Sequence, residues 1–167
     1  MDFFEVVKRR ASVRSFEPGG VSAQELQKIV DAGRRAPSGY NRQPWSFIII
    51  QDQETIKELG DVQGCISGAD AAIGVVVDAA ASPYWVEDAS AAIENMLLAI
   101  VALGYDSLWV EGFLLKKEKK MKQLLQVPDE MRLLAILPVG LAAERAEQAP
   151  KRPLEDMVHW ERYVGET

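Results

Sequence analysis

Apolar and polar positions alternate along this chain with two different periods. Over residues 2–9, Phe3, Val6 and Val7 share one side of a helix, and Asp2 stands where a cap is needed. Residues 11–16 read as extended, and Glu17-Pro18-Gly19-Gly20 as a turn. Ser22 opens a second helix. Glu25 three residues later completes a capping box, and Leu26, Ile29, Val30 and Gly33 follow at helical spacing until Pro37. Residues 37–44 form a polar loop between two prolines. Residues 45–50 are an unbroken apolar run, which predicts a strand central in a sheet. A short helix is expected over 53–59 and a second buried strand over 71–77.

The longest helix is predicted over 86–103, with Gly104 as its stop. From Ile93 onward it is apolar on most faces, so it must be buried nearly all round. Ala89, Ala91, Ala92, Ala99 and Ala102 keep it slim, which lets another helix approach closely and suggests that a partner subunit covers part of it. A strand at 106–110 leads into Glu111-Gly112-Phe113. An amphipathic helix at 116–126 and a strand at 131–139, closed by Gly140, complete the body. From about residue 142 the chain is a charged tail carrying Trp160 and Tyr163, aromatics that suggest docking. Helices and strands without strict alternation predict an α+β sheet sandwiched by helices.

The 167 residues suit one compact domain with a full hydrophobic core. A net charge of −6 argues against general nucleic-acid binding, which needs a basic surface. One cysteine, Cys65, excludes an internal disulfide, and with one histidine, His159, a zinc site built from these ligands is not expected. The acidic N-terminus is not expected to act as a signal peptide, and the longest apolar stretch is too short to span a bilayer. A cytoplasmic protein is expected.

Two segments carry candidate chemistry. In Arg10-Ala11-Ser12-Val13-Arg14, extended backbone would project Arg10, Ser12 and Arg14 from one face. Two guanidinium groups and a hydroxyl suit a phosphate or another electron-rich group, although the triplet taken alone reads first as a solvated basic edge. Between Ala36 and Trp45, Ser38, Gly39, Asn41 and Gln43 lie in a loop pinned by Pro37 and Pro44, with more hydrogen-bonding groups than a plain connection needs.

Together these segments resemble the paired signature of the nitroreductase family: Arg10-x-Ser12-x-Arg14-x-Phe16, then Ala36-Pro37-Ser38-Gly39-x-Asn41-x-Gln43-Pro44-Trp45. Residues 92–99 are similar to that family's long dimer helix, Trp109-Val110-Glu111-Gly112-Phe113 to its flavin-edge loop, and Pro138-Val139-Gly140 with Arg152-Pro153-Leu154-Glu155 to its last strand and tail. The resemblance covers nearly the whole chain. It implies a mixed, mainly antiparallel sheet, an intertwined homodimer with FMN at the subunit interface, and NADH or NADPH as electron donor. It implies that Arg10 and Ser12 hold the phosphate and ribityl chain and that Arg14 faces the pyrimidine end. Pro37, Ser38, Gly39 and Asn41 would reach the FMN of the opposite subunit. The backbone at Glu111 and Gly112 would approach flavin N5, and Lys151 or Arg152 would hold the phosphate. The acceptor would be an electron-poor nitroaromatic or quinone, reduced in a ping-pong cycle. The chain is short for the family, so its lid insertions are expected to be trimmed. Gln63 is a candidate for a further polar contact.

Other readings within reach are a dehalogenase or flavin-cleaving relative of the same fold, and a module that stores or senses FMN without turnover. No G-x-G-x-x-G follows a strand, which disfavours a Rossmann dehydrogenase. Glu94 and Asn95 sit inside the apolar helix, where a buried carboxylate needs a partner; the functional reading is a proton-handling group near the flavin, and the favoured structural reading is an interfacial hydrogen bond in the dimer. Tyr84 and Trp85 either lid a pocket or start the long helix. Cys65 has no catalytic partner in sight, His159 is expected to pack in the tail, and residues 116–120 read as a solvated helix face.

Overall fold

The computed structural model describes residues 1–144, 146–163 and 165. Arg145, Val164, Glu166 and Thr167, which belong to the expected tail, lie outside the described residues. Among the described residues six α-helices and five strands follow one another as α1 (Phe3–Arg9), β1 (Phe16–Glu17), α2 (Ala23–Arg34), β2 (Trp45–Ile50), α3 (Gln53–Leu59), β3 (Ala71–Val77), α4 (Trp85–Ala102), β4 (Asp106–Ser107), α5 (Gly112–Leu115), α6 (Glu118–Leu124) and β5 (Arg132–Ala142). The caps form where the sequence places them. Asp2 accepts from the Glu5 amide, and Ser22 and Glu25 satisfy each other's backbone in a complete capping box. No helix among the described residues is long and apolar enough to cross a membrane.

The sheet is antiparallel in the order β1-β5-β3-β2, with β4 also paired to β5. This corrects the central position expected for the first long strand. The two interior strands are β3 and β5, and β2 is an edge whose Ser46 and Ile49 are exposed. An apolar run marks burial on both faces, and only β3 has all seven residues buried. Its side chains alternate between two cores. Ala71, Ile73, Val75 and Val77 face α2 and α4, while Ala72 and Val76 face α3, α5 and α6. A bulge between Val75 and Val76 leaves Leu134 of β5 without a partner, and Leu134 and Ala135 therefore fall on the same side.

Gly140 does not close the last strand. It pairs with Asp106, and β5 continues to Ala142 because β1 pairs with its final residues. A Cβ on Gly140 would lie 3.1 Å from the Phe16 ring, so the glycine serves this crossing. The strand expected over 106–110 is only partly regular. It pairs at Asp106 and Ser107 and touches β5 again through a single bridge from Val110 to Ile136. The helix expected over 116–126 is α6, shorter at both ends, and a separate short helix, α5, precedes it.

Ile93, Met96 and Ile100 of α4 are fully buried, each contributing about 1.5–3 kcal/mol of hydrophobic stabilisation. The slim face of α4 receives α2. A Cβ on Gly33 would stand 2.7 Å from Met96 Cγ, and the Asn95 amide donates to the Ala32 carbonyl at 3.1 Å. Within the single chain Glu94 is exposed on the helix, away from the core that holds its neighbours. Leu98, Ala99 and Ala102 line an apolar groove with Met1, Phe3 and Val6 of the N-terminal segment. Within α1 only Val6 is buried; Phe3 and Val7 are exposed.

Candidate functional site

The Arg10 to Arg14 segment has the alternation its sequence requires. Ala11 and Val13 are buried, while Ser12 and Arg14 are exposed and Arg10 is half-buried. The segment is fixed by a parallel bridge between Ser12 and Ser107 and by the Val13 amide, which donates to the Ser107 carbonyl at 3.0 Å. Among the described residues, neither Arg10 nor Arg14 forms an ion pair. Burial pushes the Cys65 thiol up, and the Arg14 guanidinium pulls it partly back. Cys65 belongs to the short 3-10 turn at Gly64–Gly68, for which Gln63 is the N-cap.

The strand that fixes Ser12 also delivers the Glu111-Gly112 turn. Val110 exchanges both backbone hydrogen bonds with Ile136, at 3.0 and 2.9 Å, and Glu111 then departs at φ −134°, ψ −60°. Gly112 is exposed, and a Cβ there would meet nothing within 4 Å. Packing within the chain therefore does not demand this glycine, and the space before it is open to a flat ligand. The indole N–H of Trp109 is buried without a hydrogen-bond partner among the described residues. Such an orphan donor is uncommon in a folded chain.

The loop at 37–44 is held in an unusual backbone shape. Tyr40, Asn41 and Gln43 all have left-handed φ, at 53°, 56° and 47°. Each such residue costs about 1–2 kcal/mol when it carries a Cβ. Hydrogen bonds offset that cost. The Asn41 amide donates to the Ser38 carbonyl, the Arg42 amide to the Gly39 carbonyl, and the Gln43 amide to Ser38 Oγ at 3.0 Å. Arg42 reaches the Ala81 carbonyl, and the Gly39 amide donates to Asp88 Oδ1 at 2.8 Å. Backbone strain maintained by surrounding contacts is a mark of functional segments.

Tyr84 and Trp85 go to different places. Trp85 packs against the core beneath α4 with the Arg132 guanidinium 5.6 Å from its ring centre. Tyr84 lies on the loop instead: a Cβ on Gly39 would come within 2.5 Å of its ring. Sequence reasoning missed Asp88 and Ser82, both buried beneath this loop. Asp88 reads locally as one more acid in a helical first turn, and only the return of the loop reveals its partners.

The two signature segments do not meet within one chain. The loop at 37–44 sits at the N-terminal end of α4, through Gly39 and Asp88. Ser12 is tied to Ser107, beyond the C-terminal end of the same helix. The 18 residues of α4 span about 27 Å between those ends. Pro37, Ser38, Gly39 and Asn41 therefore form one cluster, and Arg10, Ser12 and Arg14, with the strand leading to Glu111 and Gly112, form another.

The tail begins near the second cluster. Gln148 donates to the carbonyls of Val7 and Arg10 at 2.8 and 2.7 Å. Lys151 and Arg152 follow and are exposed, with the Arg152 guanidinium turned to the Asp156 carbonyl. His159 is exposed and its ring lies 4.3 Å from that of Tyr163. The lysine-rich run is not a simple solvated face. Lys117 and Lys120 both pair with Asp61, at 2.8 and 3.0 Å, and Glu118 turns inward to Arg132.

Known proteins are similar to this chain in sequence and fold. The model of the nitroreductase family matches residues 7–72 and 65–141. A protein of Archaeoglobus fulgidus, provisionally named NADH dehydrogenase/NAD(P)H nitroreductase, is 32% identical over 171 aligned positions, covering 95% of this chain and 97% of its own. A crystal structure from Bacteroides thetaiotaomicron with the same provisional name superposes with a TM-score of 0.88 at 27% identity, covering 96% and 98% of the two chains. The FMN-dependent nitroreductase of Clostridium difficile R20291 superposes at 0.85 with 25% identity over 96% and 99%. With the family model spanning most of the chain and a relative matched end to end, this protein belongs to the nitroreductase family.

Proposed function

We propose that this chain is an FMN-dependent oxidoreductase that takes two electrons from NADH or NADPH and passes them to an electron-poor acceptor such as a quinone or nitroaromatic. It works as a homodimer, with each flavin held between the Arg10-Ser12-Arg14 and Glu111-Gly112 cluster of one subunit and the 37–44 loop of its partner. The observation that carries this reading is the separation of the two clusters along α4, about 27 Å for its 18 residues. One flavin cannot touch both clusters of a single chain, while a symmetric dimer brings an end from each subunit together. The apolar groove along Leu98, Ala99 and Ala102 supplies a surface for such a partner. The relative from Clostridium difficile is FMN-dependent by name, which supports the choice of flavin.

The residues present fit FMN. Arg10 and Arg14 offer guanidinium groups that no carboxylate among the described residues neutralises. Arg10 and the Ser12 hydroxyl suit a phosphate and a ribityl chain, and Lys151 or Arg152 adds a second cation from the nearby tail. FMN, when bound, supplies the two-electron exchange. Arg14 places positive charge at the pyrimidine end, where reduction adds negative charge, and so favours the reduced state. Gly112 leaves the approach to the ring open, and the Glu111 and Gly112 backbone lines it. Ser38, Gly39 and Asn41 close the site from the other subunit and limit water. No side chain acts as a nucleophile, and donor and acceptor use the open face in turn. The whole chain is one flavin-binding domain of a cytoplasmic protein, and its tail from about residue 142 docks on the partner.

The test is anaerobic titration of the FMN-loaded protein. Bleaching of the flavin by NADH or NADPH, with colour restored by an added quinone or nitroarene, is the expected outcome. Flavin that binds but is reduced by neither nucleotide would contradict the reductase and favour a storage or sensing role.

A further inference from the structure

We propose that Asp88 is the positioning residue that sets the shape of the 37–44 loop, so that flavin retention depends on a buried carboxylate that never touches flavin. The proposal rests on the reading of that loop as one wall of the flavin site.

Asp88 is 5% exposed and lies in the first turn of α4, where the helix end favours negative charge. Among the described residues no lysine or arginine pairs with it. Its two oxygens serve two different elements. Oδ1 accepts from the Gly39 amide at 2.8 Å, and Oδ2 accepts from the Ser82 hydroxyl at 2.7 Å. The same Ser82 oxygen accepts from the Tyr84 amide at 3.1 Å, and Ser82 is 1% exposed. One carboxylate thus fixes the loop through Gly39 and the Tyr84 backbone through Ser82. The Tyr84 ring lies where a Gly39 side chain would be, so the two tethered parts also touch each other.

A buried carboxylate with only neutral donors costs desolvation, and a core residue would fill the same space without that cost. What the carboxylate adds is direction. The loop needs an external tie because three of its residues, Tyr40, Asn41 and Gln43, have left-handed φ. Most of its other hydrogen bonds run within the loop, from Ser38 to Gln43, and cannot set its position on the helix. The ties to the rest of the chain are Gly39 to Asp88, Arg42 to the Ala81 carbonyl, and Pro44 O to the Asp78 amide. Asp88 holds the tip that carries Ser38, Gly39 and Asn41.

The experiment compares flavin-stripped wild type, Asp88→Ala, Asp88→Asn and Ser82→Ala, with Ile56→Val in the opposite core as a control for lost stability. The readouts are the FMN Kd from flavin fluorescence, amide exchange at Gly39 and the thermal midpoint. Asp88→Ala is expected to raise Kd by at least about tenfold and to expose the Gly39 amide to exchange, as a charged hydrogen bond is lost. Asp88→Asn keeps an acceptor for Gly39 and a donor for the Ser82 oxygen, so it recovers most of the affinity. Ile56→Val lowers the midpoint and leaves Kd alone. Should Asp88→Ala fail to fold, Ser82→Ala, which frees Oδ2 and the Tyr84 amide, still has to raise Kd. Wild-type affinity in the variants, with wild type binding FMN, overturns the role of Asp88. Wild type that takes up no FMN overturns the flavin site itself, and with it this role.

Discussion

Glu118 accepts from Arg132 twice, from Nε at 2.8 Å and Nη2 at 2.9 Å, and from the Leu133 amide at 3.0 Å. A run of lysines that looks like a solvated face thereby ties α6 to the start of β5. The Arg132 hydrogen bonds, then the Leu133 amide, outweigh burial and hold the Glu118 carboxyl below its ordinary value of 4.5. A carboxyl lowered by folding stabilises the folded state above its unfolded pKa, and that contribution is lost as pH falls through the lower folded value. Glu118→Gln is expected to cost about 1–2 kcal/mol at neutral pH, discounted because Arg132 is partly exposed. Urea unfolding from neutral pH to below pH 4.5 should show the gap between the two proteins closing. A gap that persists in acid would contradict the ionic origin of the contact.

The crossing of α2 over α4 makes a second prediction. A Cβ on Gly33 would meet Met96 Cγ and Sδ and the Ala92 carbonyl, so Gly33→Ala gains helix propensity but overpacks the contact. A net loss of about 1–3 kcal/mol is expected. Met96→Ala opens a cavity of its own, so Gly33→Ala combined with Met96→Ala should lose less than the sum of the two single losses, measured by the same urea midpoints. Additive losses in the double variant would show that the two residues do not compete for space.

Arg14 should govern flavin potential more than folding. It is exposed and forms no ion pair among the described residues, so Arg14→Ala leaves the thermal midpoint of the apoprotein nearly unchanged. Loss of its charge is expected to lower the potential by about 20–40 mV, equivalent to about 1–2 kcal/mol for two electrons. Reduction by NADH or NADPH slows with it. Dye-equilibration titration checks the first and stopped-flow absorbance the second. An unchanged potential would remove Arg14 from the pyrimidine end.

The tail should matter to assembly. Leu154, Met157, Trp160 and Tyr163 are exposed in the chain as described, with Trp160 at 79%. Ending the chain at residue 148 keeps the Gln148 tether and removes these side chains. The expected result is a dimer dissociating at least about tenfold more readily, by sedimentation at graded concentration. Equal dimer stability would leave the tail without a partner to dock on.

Local signals were legible in the sequence, and long-range ones were not. The ranges of β2, α3 and β3 follow from apolar runs and caps, and the capping box of Ser22 and Glu25 fixed the start of α2. The edge position of β2 was not legible, because an apolar run reports burial without naming the neighbour, and Ile49 is left exposed. Gly140 looked like a terminator because local pattern cannot see Phe16 crossing it. The spacing of the two signature segments gave the candidate residues, but their separation along α4 needed the fold. Asp88 was hidden for the same reason: its partners are 6 and 49 residues away.

The central claim is that one flavin site is built from two chains, and subunit complementation tests it most directly. Arg10→Ala/Arg14→Ala removes one cluster, and Ser38→Ala/Asn41→Ala weakens the other. Each variant alone should bind FMN poorly, since both of its sites lack the same half. Unfolding and refolding the two together makes mixed dimers, each with one site whose halves are both native. FMN binding is expected to return in the mixture, at about a quarter of the wild-type site number for random assortment. A mixture that binds no better than its separate components would contradict it.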